Sequence, residues 1–389
     1  MRARRVMCYV QHLMGTGHQW RAAAISRAMC QLGMDVTYVS GGFPVPGLDV
    51  DCTRSVQLPP TRSADMRYKT LVDERGLPVD DDWKAVRRST LLETFLECQP
   101  DVLLIETFPF GRRLLRFELL PLLDTAHALR PRPHVVCSVR DILENRPKPG
   151  HNEKIVDLVH TYFDLVLVHS DPEFVPFQAS FPLTDCIARK LCYTGFVMRP
   201  RGDSKPAVAG TGEVIVSAGG GVVGEHLLHT AMKARPLSSL AQVPWRILVG
   251  HHFPATRLAR LRAGVADGVI IEQNRPDFAT LLRHCAVSIS QGGYNTLFEV
   301  LDAGARAVVV PYSDEQQEEQ AVRARLLAER GLIVLVDKHA LTPSRLAQAV
   351  DIASNRPHPK RPAINMNGAS TTAHLIATVM VQNHSAASL

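Results

Sequence analysis

One stretch near the start of the chain decides the fold class: residues 6–40 read VMCYVQHLMGTGHQWRAAAISRAMCQLGMDVTYVS. The first five residues are apolar and predict a short buried strand, which leads into the glycine-containing loop GTGH at 15–18. Apolar residues then recur at helical spacing to about Leu32, and Gly33 stands where a helix commonly ends. Residues 36–40 predict a second strand. A strand, a helix and a strand in this order predict a parallel sheet with helices packed against it.

The alternation of strands and helices continues along the chain and restarts after a break in composition. Residues 198–212 contain several glycines and prolines and no apolar periodicity, which predicts a linker. From residue 213 an apolar strand again leads into a glycine-rich loop and a helix. We therefore predict an α/β protein with two Rossmann-like, doubly wound domains facing each other across a cleft. The predicted boundaries are 1–198 for the first domain, 199–212 for the linker, 213–362 for the second domain and 363–389 for a C-terminal helix and tail.

Composition and charge exclude several classes of protein. Hydrophobic residues make up 46% and charged residues 21% of the 389, which excludes wholesale disorder. A net charge of +6 suits an anionic ligand but is too small to argue for nucleic acid. The eight cysteines form no CxxC pair, so we predict reduced thiols and a cytoplasmic location. No apolar run is long enough for a membrane helix, and the basic start of the chain leads into a strand rather than an export signal.

Three glycine-rich loops follow predicted strands, at the sheet edge where doubly wound proteins bind ligands. Glycines at such turns let the backbone approach an anion and open a helix N-terminus toward it. His18 ends the first loop, where a neutral histidine can accept a proton or can simply cap the helix. The loops supply the predicted anion-binding residues Gly15, Gly17, Ser217, Gly219, Gly220, Gly221, Gln291, Gly292 and Gly293.

The helix after the third loop carries polar side chains at helical spacing. Asn295 and Glu299 are four residues apart and share one face, and a carboxylate one turn past an anion site suits the diol of a ribose. Thr296 adds a further donor. One strand later, the following helix offers the donors and acceptors that sugar hydroxyls require, at Gln316, Glu319 and Gln320. A charged solvent face explains that last group equally well.

The first half of the chain has polar features of its own. The segment 52–82 is long and charged, and we predict a partly mobile active-site flap there. Glu106 and Asp141 follow predicted strands, where a charge seldom lies without a partner, so they bind an acceptor or form ion pairs across the sheet. The arginines beside them are candidates for the same acceptor role: Arg112, Arg113 and Arg140. Asp49 and Asp51 form a DxD tripeptide that we interpret as incidental, so no metal is predicted.

These motifs together resemble the GT-B glycosyltransferases over roughly residues 4–355. The GTGH turn, the glycines at 219–221 and the stretches SQGGYNTLFE (290–299) and VPYSDEQQEEQAVRA (310–324) are similar to the N-acetylglucosaminyltransferase family that completes the peptidoglycan lipid precursor. The first-half motifs YVQHLMGTGH, ETFPFGRR and SVRDIL resemble a family of predicted glycosyltransferases with the same overall fold. The resemblance implies an acceptor-side first domain and a nucleotide-sugar-binding second domain.

The reaction that the resemblance implies moves a hexose or an N-acetylhexosamine from a nucleoside-diphosphate sugar to an acceptor hydroxyl. UDP is the favoured nucleotide, the displacement is a single step, and neither a metal nor another cofactor is expected. His18 takes the position of the family's histidine near the reacting sugar and is the candidate base. Glu106 and Asp141 are the next candidates for that catalytic role.

The donor-binding residues implied by the resemblance lie in the second half. Gly292 and Gly293 correspond to the glycines that hold the diphosphate, and Glu299 corresponds to the carboxylate on the ribose. A Gln-Gln pair that reaches the donor sugar corresponds to Glu319 and Gln320. The first of these departs from the family, and the first-half segment 138–141 retains no residue of the family's acceptor motif, so a different acceptor is expected.

Other functions fit the same pattern. A nucleotide-sugar hydrolase or 2-epimerase shares the architecture, and a non-catalytic protein would bind a nucleotide without turnover. An NAD dehydrogenase fits the strands and glycines, but neither first-strand loop reads GxGxxG with an acid about 20 residues later. The expected partners are a nucleotide sugar and an unidentified acceptor, without nucleic acid. The stretch PFGRRLLRF at 109–117 is also compatible with peripheral contact to an anionic membrane at its inner face.

Overall fold

The computed structural model describes residues 4–65, 69–143, 149–198, 209–218, 224–250, 253–275, 277–312, 319–359 and 363–386, the last with side chains to 380. The chain forms two compact units. The first comprises residues 1–199 together with 364–389, and the second comprises residues 200–363. The predicted linker at 199–212 lies mostly outside the described residues.

The first unit begins with the strand and helix that the opening stretch predicts, because its apolar residues follow first a strand period and then a helix period. Its elements are β1 (Arg5–Val10), α1 (Gly17–Gln31), β2 (Asp35–Ser40), β3 (Arg54–Gln57), β4 (Arg62–Ser63), β5 (Leu71–Val72), α2 (Asp81–Cys98), β6 (Val102–Glu106), α3 (Arg116–Ala128), β7 (His134–Arg140), α4 (His151–Tyr162), β8 (Leu165–His169) and β9 (Leu191–Tyr193).

The main sheet of this unit is parallel, with strand order β3-β2-β1-β6-β7-β8-β9. The chain winds outward from β1 in one direction and then, from β6, in the other, so the order reverses between these two strands. Val6 pairs with Val102 and Tyr9 with Ile105, which sets the carboxyl ends of β1 and β6 side by side. In open α/β sheets this reversal point is where ligands bind.

Alternate residues of the central strands pack against helices on opposite faces, as expected of a parallel sheet. Met7 and Tyr9 lie in a core shared with α2 and α3, whereas Val6 and Cys8 lie in a core shared with α1. The last helix of the chain, α11 (Gly368–Ala386), packs against α1 on that second face, through Ala373 and Ile376 among others.

The described part of the polar segment at 52–82, where the sequence predicts a partly mobile flap, contains the three short strands β3, β4 and β5. β3 adds an edge strand to the main sheet, and β4 pairs with β5. The fully buried side chain of Arg87, on α2, donates hydrogen bonds to the carbonyl oxygens of Gly41 and Pro59 and to Oε1 of Gln11. A buried guanidinium requires such acceptors, so Arg87 links Pro59 of this segment to Gly41 and to Gln11, which directly follows β1.

The second unit repeats the architecture. Its elements are β10 (Val214–Ser217), α5 (Glu225–Ala234), β11 (Trp245–Val249), α6 (Ala255–Ala263), β12 (Val269–Gln273), α7 (Phe278–His284), β13 (Val287–Ser290), α8 (Tyr294–Ala303), β14 (Ala307–Val309), α9 (Glu319–Glu329), β15 (Val334–Leu335) and α10 (Pro343–Asn355). The sheet is parallel with order β12-β11-β10-β13-β14-β15, so the reversal point lies between β10 and β13. The prediction of two Rossmann-like units is confirmed.

Candidate active site

The reversal point of the first sheet carries a histidine and a buried carboxylate. α1 begins at Gly17, so His18 lies in its first turn, and Glu106 is the last residue of β6. The Nδ1 atom of His18 lies 2.8 Å from Oε1 of Glu106. The His18 side chain is 13% exposed and that of Glu106 is 2% exposed, so the carboxylate is buried and the imidazole keeps a small exposed surface.

Two arginines complete this group, which we call the His18 cluster: His18, Arg21, Glu106 and Arg112. The buried Arg21, one turn beyond His18, donates from Nη2 to Oε1 of Glu106, and the same nitrogen lies 3.1 Å from Nδ1 of His18. Nη2 of Arg112 lies 3.9 Å from Oε2 of Glu106. Neither that Nη2 nor that Oε2 has a hydrogen-bond partner among the described residues.

Burial and charge together set the protonation states of the cluster. Burial lowers the pKa of His18 to about 4, and the two guanidinium groups reinforce burial against the opposing effect of Glu106. Burial raises the pKa of Glu106, but His18, Arg21 and Arg112 outweigh it and hold that pKa well below its usual range. An ionised carboxylate can only accept, so Nδ1 of His18 carries the proton and donates it, which leaves a lone pair on Nε2.

Unusual backbone conformations after β6 shape the cluster. Thr107 and Arg112 have φ values of 68° and 62°, in the left-handed region that β-branched residues such as threonine rarely adopt. The N–H of Thr107 donates to the carbonyl oxygen of Ser138 at 2.7 Å, and Nε of Arg112 donates to the carbonyl oxygen of Gln11 at 2.7 Å. These bonds hold a tight turn that brings Arg112 back over the end of β1.

The other residues predicted for the acceptor side are not members of the His18 cluster. Arg113 is exposed in a short turn before α3, and half-buried Arg140 ends β7 and donates to the carbonyl oxygen of Ile142 at 3.1 Å. Asp141 is fully buried, which favours a structural role over proton transfer. In the PFGRRLLRF stretch, Phe110 and Leu115 are buried in the core, whereas Leu114 and Phe117 are only partly buried.

Several residues that support this site are not apparent from the sequence. Arg21 was not singled out, although its spacing of three from His18 places both on one side of a helix. Gln19 was also missed: its Nε2 lies 3.2 Å from Nδ1 of His12 and donates to Oγ of Ser40 at 3.0 Å. His169 on β8 is fully buried between the hydroxyls of Ser138 (2.7 Å) and Thr194 (2.8 Å). Only the topology brings these side chains together.

The second unit places its predicted loops at its own reversal point. Ser217 at the end of β10 pairs with Ser290 at the end of β13, which in turn pairs with Val309 at the end of β14. The loops that follow these strands therefore start side by side along the carboxyl edge. Gly219, Gly220 and Gly221 lie outside the described residues. A Cβ added at Gly224, which precedes α5, would stand 3.0 Å from Oε1 of Gln291, so these two loops are in contact.

Gly292 and Gly293 are glycines for different reasons. Gly292 has a φ of +71°, and a Cβ there would stand 2.6 Å from Cγ1 of Val309, so the fold itself requires glycine. Gly293 precedes α8 with an ordinary backbone conformation, and no described atom lies within 4 Å of where its Cβ would stand. Gly15 and Gly17 in the first unit have the same open surroundings.

The side chains predicted to bind a donor lie on α8 and α9. Asn295, Thr296 and Glu299 are half-buried in the first two turns of α8. Oε1 of Gln320 accepts the backbone N–H of Tyr312 at 3.1 Å, which leaves its amide nitrogen to donate. Glu319 lies 4.0 Å from the buried guanidinium of Arg323, which stacks over the Tyr294 ring. Gln316 lies outside the described residues.

The described residues contain neither a metal cluster nor a membrane-spanning helix. They contain no group of three or more His, Cys, Asp or Glu arranged to hold a metal ion. None of the helices in the described ranges is long and apolar enough to cross a membrane. Asp49 of the DxD tripeptide accepts a hydrogen bond from Arg27 at 2.5 Å, and Asp51 donates its backbone N–H to the Asp49 carboxylate at 3.2 Å.

Several known proteins are similar to this chain in sequence. The glycosyltransferase family 28 C-terminal domain matches residues 218–378. The chain is 31% identical over 157 residues to a UDP-N-acetylglucosamine–N-acetylmuramyl-(pentapeptide) pyrophosphoryl-undecaprenol N-acetylglucosamine transferase of Cupriavidus pinatubonensis, covering 39% of this chain and 43% of that enzyme. It is 27% identical over 278 residues to the enzyme of the same name from Thiobacillus denitrificans, covering 62% of this chain and 72% of that enzyme. The chain thus spans less than half of the first relatives it matches.

Solved structures match over the whole chain at low sequence identity. The calicheamicin glycosyltransferase CalG4 is 16% identical with a TM-score of 0.63, covering 99% of this chain and 98% of that one. The MurG protein of Acinetobacter baumannii is 17% identical with a TM-score of 0.59, covering 96% and 99%. The GT-B glycosyltransferase fold predicted from the sequence is confirmed. The chain has this fold, and its residues 218–378 match the glycosyltransferase family 28 C-terminal domain.

Proposed function

We propose that the protein transfers a hexose or an N-acetylhexosamine from a nucleoside-diphosphate sugar to the hydroxyl of an acceptor. One observation carries the proposal: a partly exposed, neutral histidine is backed by a buried carboxylate at the reversal point of one sheet. The similarity of the second unit to a family 28 domain supports a sugar-nucleotide donor.

His18 is the proposed general base. Its Nδ1–H donates to Glu106, which fixes the ring orientation and leaves Nε2 to accept the proton of the acceptor hydroxyl. The acceptor oxygen then bonds to the anomeric carbon as the bond from that carbon to the diphosphate oxygen breaks. The electron pair of that bond leaves with the nucleoside diphosphate, and the proton stays on His18. Glu106 is a positioning residue in this scheme, because its carboxylate is buried behind the imidazole.

The donor diphosphate is proposed to bind at the N-terminus of α8. The first turn of a helix presents backbone N–H groups and a positive partial charge to an anion. The open surroundings of Gly293 let a ligand approach the backbone there. Glu299, one turn beyond Asn295, is proposed to accept the ribose hydroxyls, while Thr296 and Gln291 supply further donors. The same backbone groups stabilise the leaving diphosphate, so we propose that no metal is required.

The donor and the location are narrower proposals. UDP is proposed as the nucleotide because the similar enzymes of Cupriavidus pinatubonensis and Thiobacillus denitrificans are named for a UDP-linked donor. The sugar stays open between a hexose and an N-acetylhexosamine, since Glu319 replaces the first Gln of the family's pair.

A cytoplasmic location is proposed because the cysteines are unpaired. We propose no nucleic-acid partner, since the net charge is only +6.

UDP release tests the function directly. The wild-type protein is incubated in EDTA with UDP-N-acetylglucosamine or UDP-glucose, with and without small hydroxyl compounds extracted from the source cells. We expect release that depends on the extract and falls by about 10²–10⁴-fold in His18→Gln, which keeps hydrogen bonding but cannot serve as the base. Full activity in His18→Gln would contradict the assigned base. Equal release without the extract would instead identify a hydrolase.

A further inference from the structure

The His18 cluster contains an arginine that the proposed reaction does not itself require. Arg21 is 6% exposed and donates to the same carboxylate oxygen that accepts Nδ1–H of His18. In a two-residue histidine–carboxylate pair, the buried negative charge attracts a proton onto the imidazole and raises its pKa. Because the Arg21 guanidinium binds that oxygen as well, the carboxylate attracts a proton onto the imidazole less strongly.

The charges around His18 can be counted from each neighbouring element. β6 supplies Glu106, α1 supplies Arg21, and the turn after β6 supplies Arg112 with the uncharged hydroxyl of Thr107 3.5 Å from Nδ1. Five further titratable groups of the described residues interact with the charges of the cluster: Cys8, His12, Tyr38, Cys137 and His169. Burial raises the pKa of the Cys8 thiol to about 12, raises the pKa values of Tyr38 and Cys137 well above their usual range, and lowers the pKa values of His12 and His169 to about 4 and 3. All five are therefore neutral near pH 7.

One negative and two positive charges therefore lie within the cluster before His18 takes up a proton. Protonation would add a third positive charge, with Nη2 of Arg21 only 3.1 Å from Nδ1. Like charges at this distance repel strongly where water is excluded. The Glu106 carboxylate opposes this repulsion only in part, because its Oε1 also binds the Arg21 guanidinium.

We propose that Arg21 is a positioning residue that neutralises Glu106 and keeps the His18 imidazole uncharged, and that it thereby sets the acidic limit of the reaction. Glu106 orients the ring, while Arg21, acting together with burial and Arg112, prevents the pair from capturing the proton that the base must be free to accept. In this arrangement the carboxylate orients the His18 imidazole, while the guanidinium limits the rise in its pKa. A carboxylate without a neighbouring cation would orient the ring and raise its pKa together. The effect on the reaction rests on the proposed role of His18, but the effect on its titration does not.

The test is a direct titration of His18 without substrate. Histidine side chains are labelled with ¹⁵N, and the His18 signal is assigned by its loss in His18→Gln. We expect a wild-type midpoint well below 6.5, and in Arg21→Met a rise of about 1–3 pH units, the effect of removing a charge at this distance. Arg21→Lys keeps the charge and is expected to stay near the wild type. The matched control is Arg27→Met, on the same helix, whose guanidinium binds Asp49 instead.

Several outcomes would overturn the inference. A wild-type midpoint at or above 6.5 contradicts it, whatever the variants do. A folded Arg21→Met protein whose midpoint moves by less than about 0.3 unit shows that Arg21 only stabilises the fold. If Arg21→Met fails to fold, Arg21→Gln keeps a donor to Glu106 without the charge, and the same rise is expected. The titration uses no donor or acceptor, so failure of the proposed function leaves its result intact.

Discussion

Replacing Glu106 by Gln tests whether the buried carboxylate holds the His18 cluster together. The substitution keeps the shape of the side chain and removes its charge, leaving two guanidinium groups without their counter-charge among the described residues. At the 3.9 Å that separates Arg112 from Glu106, the lost attraction is about 4 kcal/mol at an effective dielectric of 20. Removing one partner of a buried ion pair costs about 3–5 kcal/mol in stability. We expect a loss in that range.

The assay must follow the first unit separately from the second. Of the three tryptophans, Trp20 and Trp83 lie in the first unit and Trp245 lies in β11 of the second. Protein labelled with 5-fluorotryptophan gives ¹⁹F signals that report on each unit during urea unfolding. In Glu106→Gln we expect the unfolding midpoints of Trp20 and Trp83 to fall and that of Trp245 to stay unchanged.

A double substitution separates the charge effect from loss of packing. If the cost comes from uncompensated charge, Glu106→Gln combined with Arg21→Met is expected to be less destabilising than the sum of the two single variants, by about 1–3 kcal/mol. Additive losses, or a loss below about 1 kcal/mol in Glu106→Gln alone, would refute the assigned pairing.

The remaining predictions concern the donor site and acid stability. Glu299→Ala is expected to weaken UDP binding by about 10–150-fold through loss of a charge-assisted hydrogen bond, with thermal stability unchanged; an unchanged Kd would remove the ribose role. The pKa values of His12, His18 and His169 are lowered from 6.5 to about 4, 4 and 3, so between pH 6.5 and 4 the unfolded chain binds protons that the folded chain does not. Stability is therefore expected to fall as the pH drops through this window, at up to about 4 kcal/mol per pH unit near pH 5. Urea unfolding at several pH values checks this, and a flat profile would contradict the burial of these imidazoles.

Local patterns were enough to predict the two parallel sheets. Apolar runs followed by glycine turns identify β1 and α1, and the same pattern at Ser290 identifies β13 and α8. Because ligand loops in such sheets follow the strands, His18, Glu106 and the loop at 291–293 could be predicted as site residues without coordinates. The different reasons for glycine at positions 292 and 293 could not be predicted from the sequence, because the reason at Gly292 depends on contact with Val309 of a neighbouring strand.

The electrostatics of the site depend on contacts across long stretches of sequence. The sequence predicts a neutral His18 from its place at a helix N-terminus, but in the structure burial is the main cause, reinforced by Arg21 and Arg112. Glu106 lies 88 residues from His18, so no local pattern reveals their hydrogen bond. The segment at 52–82 is predicted to be a flap because it is long and polar, whereas the structure places β3 in the main sheet and binds Pro59 to the buried Arg87. Such contacts depend on the order of the strands in the sheet, which the spacing of residues along the sequence does not reveal.

The central claim, that a nucleoside diphosphate binds at the start of α8, is tested most directly by calorimetric titration of UDP into wild-type protein and Gly293→Ala in EDTA. An alanine at 293 meets no described atom, so its thermal stability is expected to match the wild type, whereas Gly292→Ala, which collides with Val309, is expected to be destabilised. We predict binding of UDP to the wild type and at least about tenfold weaker binding to Gly293→Ala, a difference of about 1.4 kcal/mol. Equal binding by both proteins, or no binding by the wild type, would contradict the account.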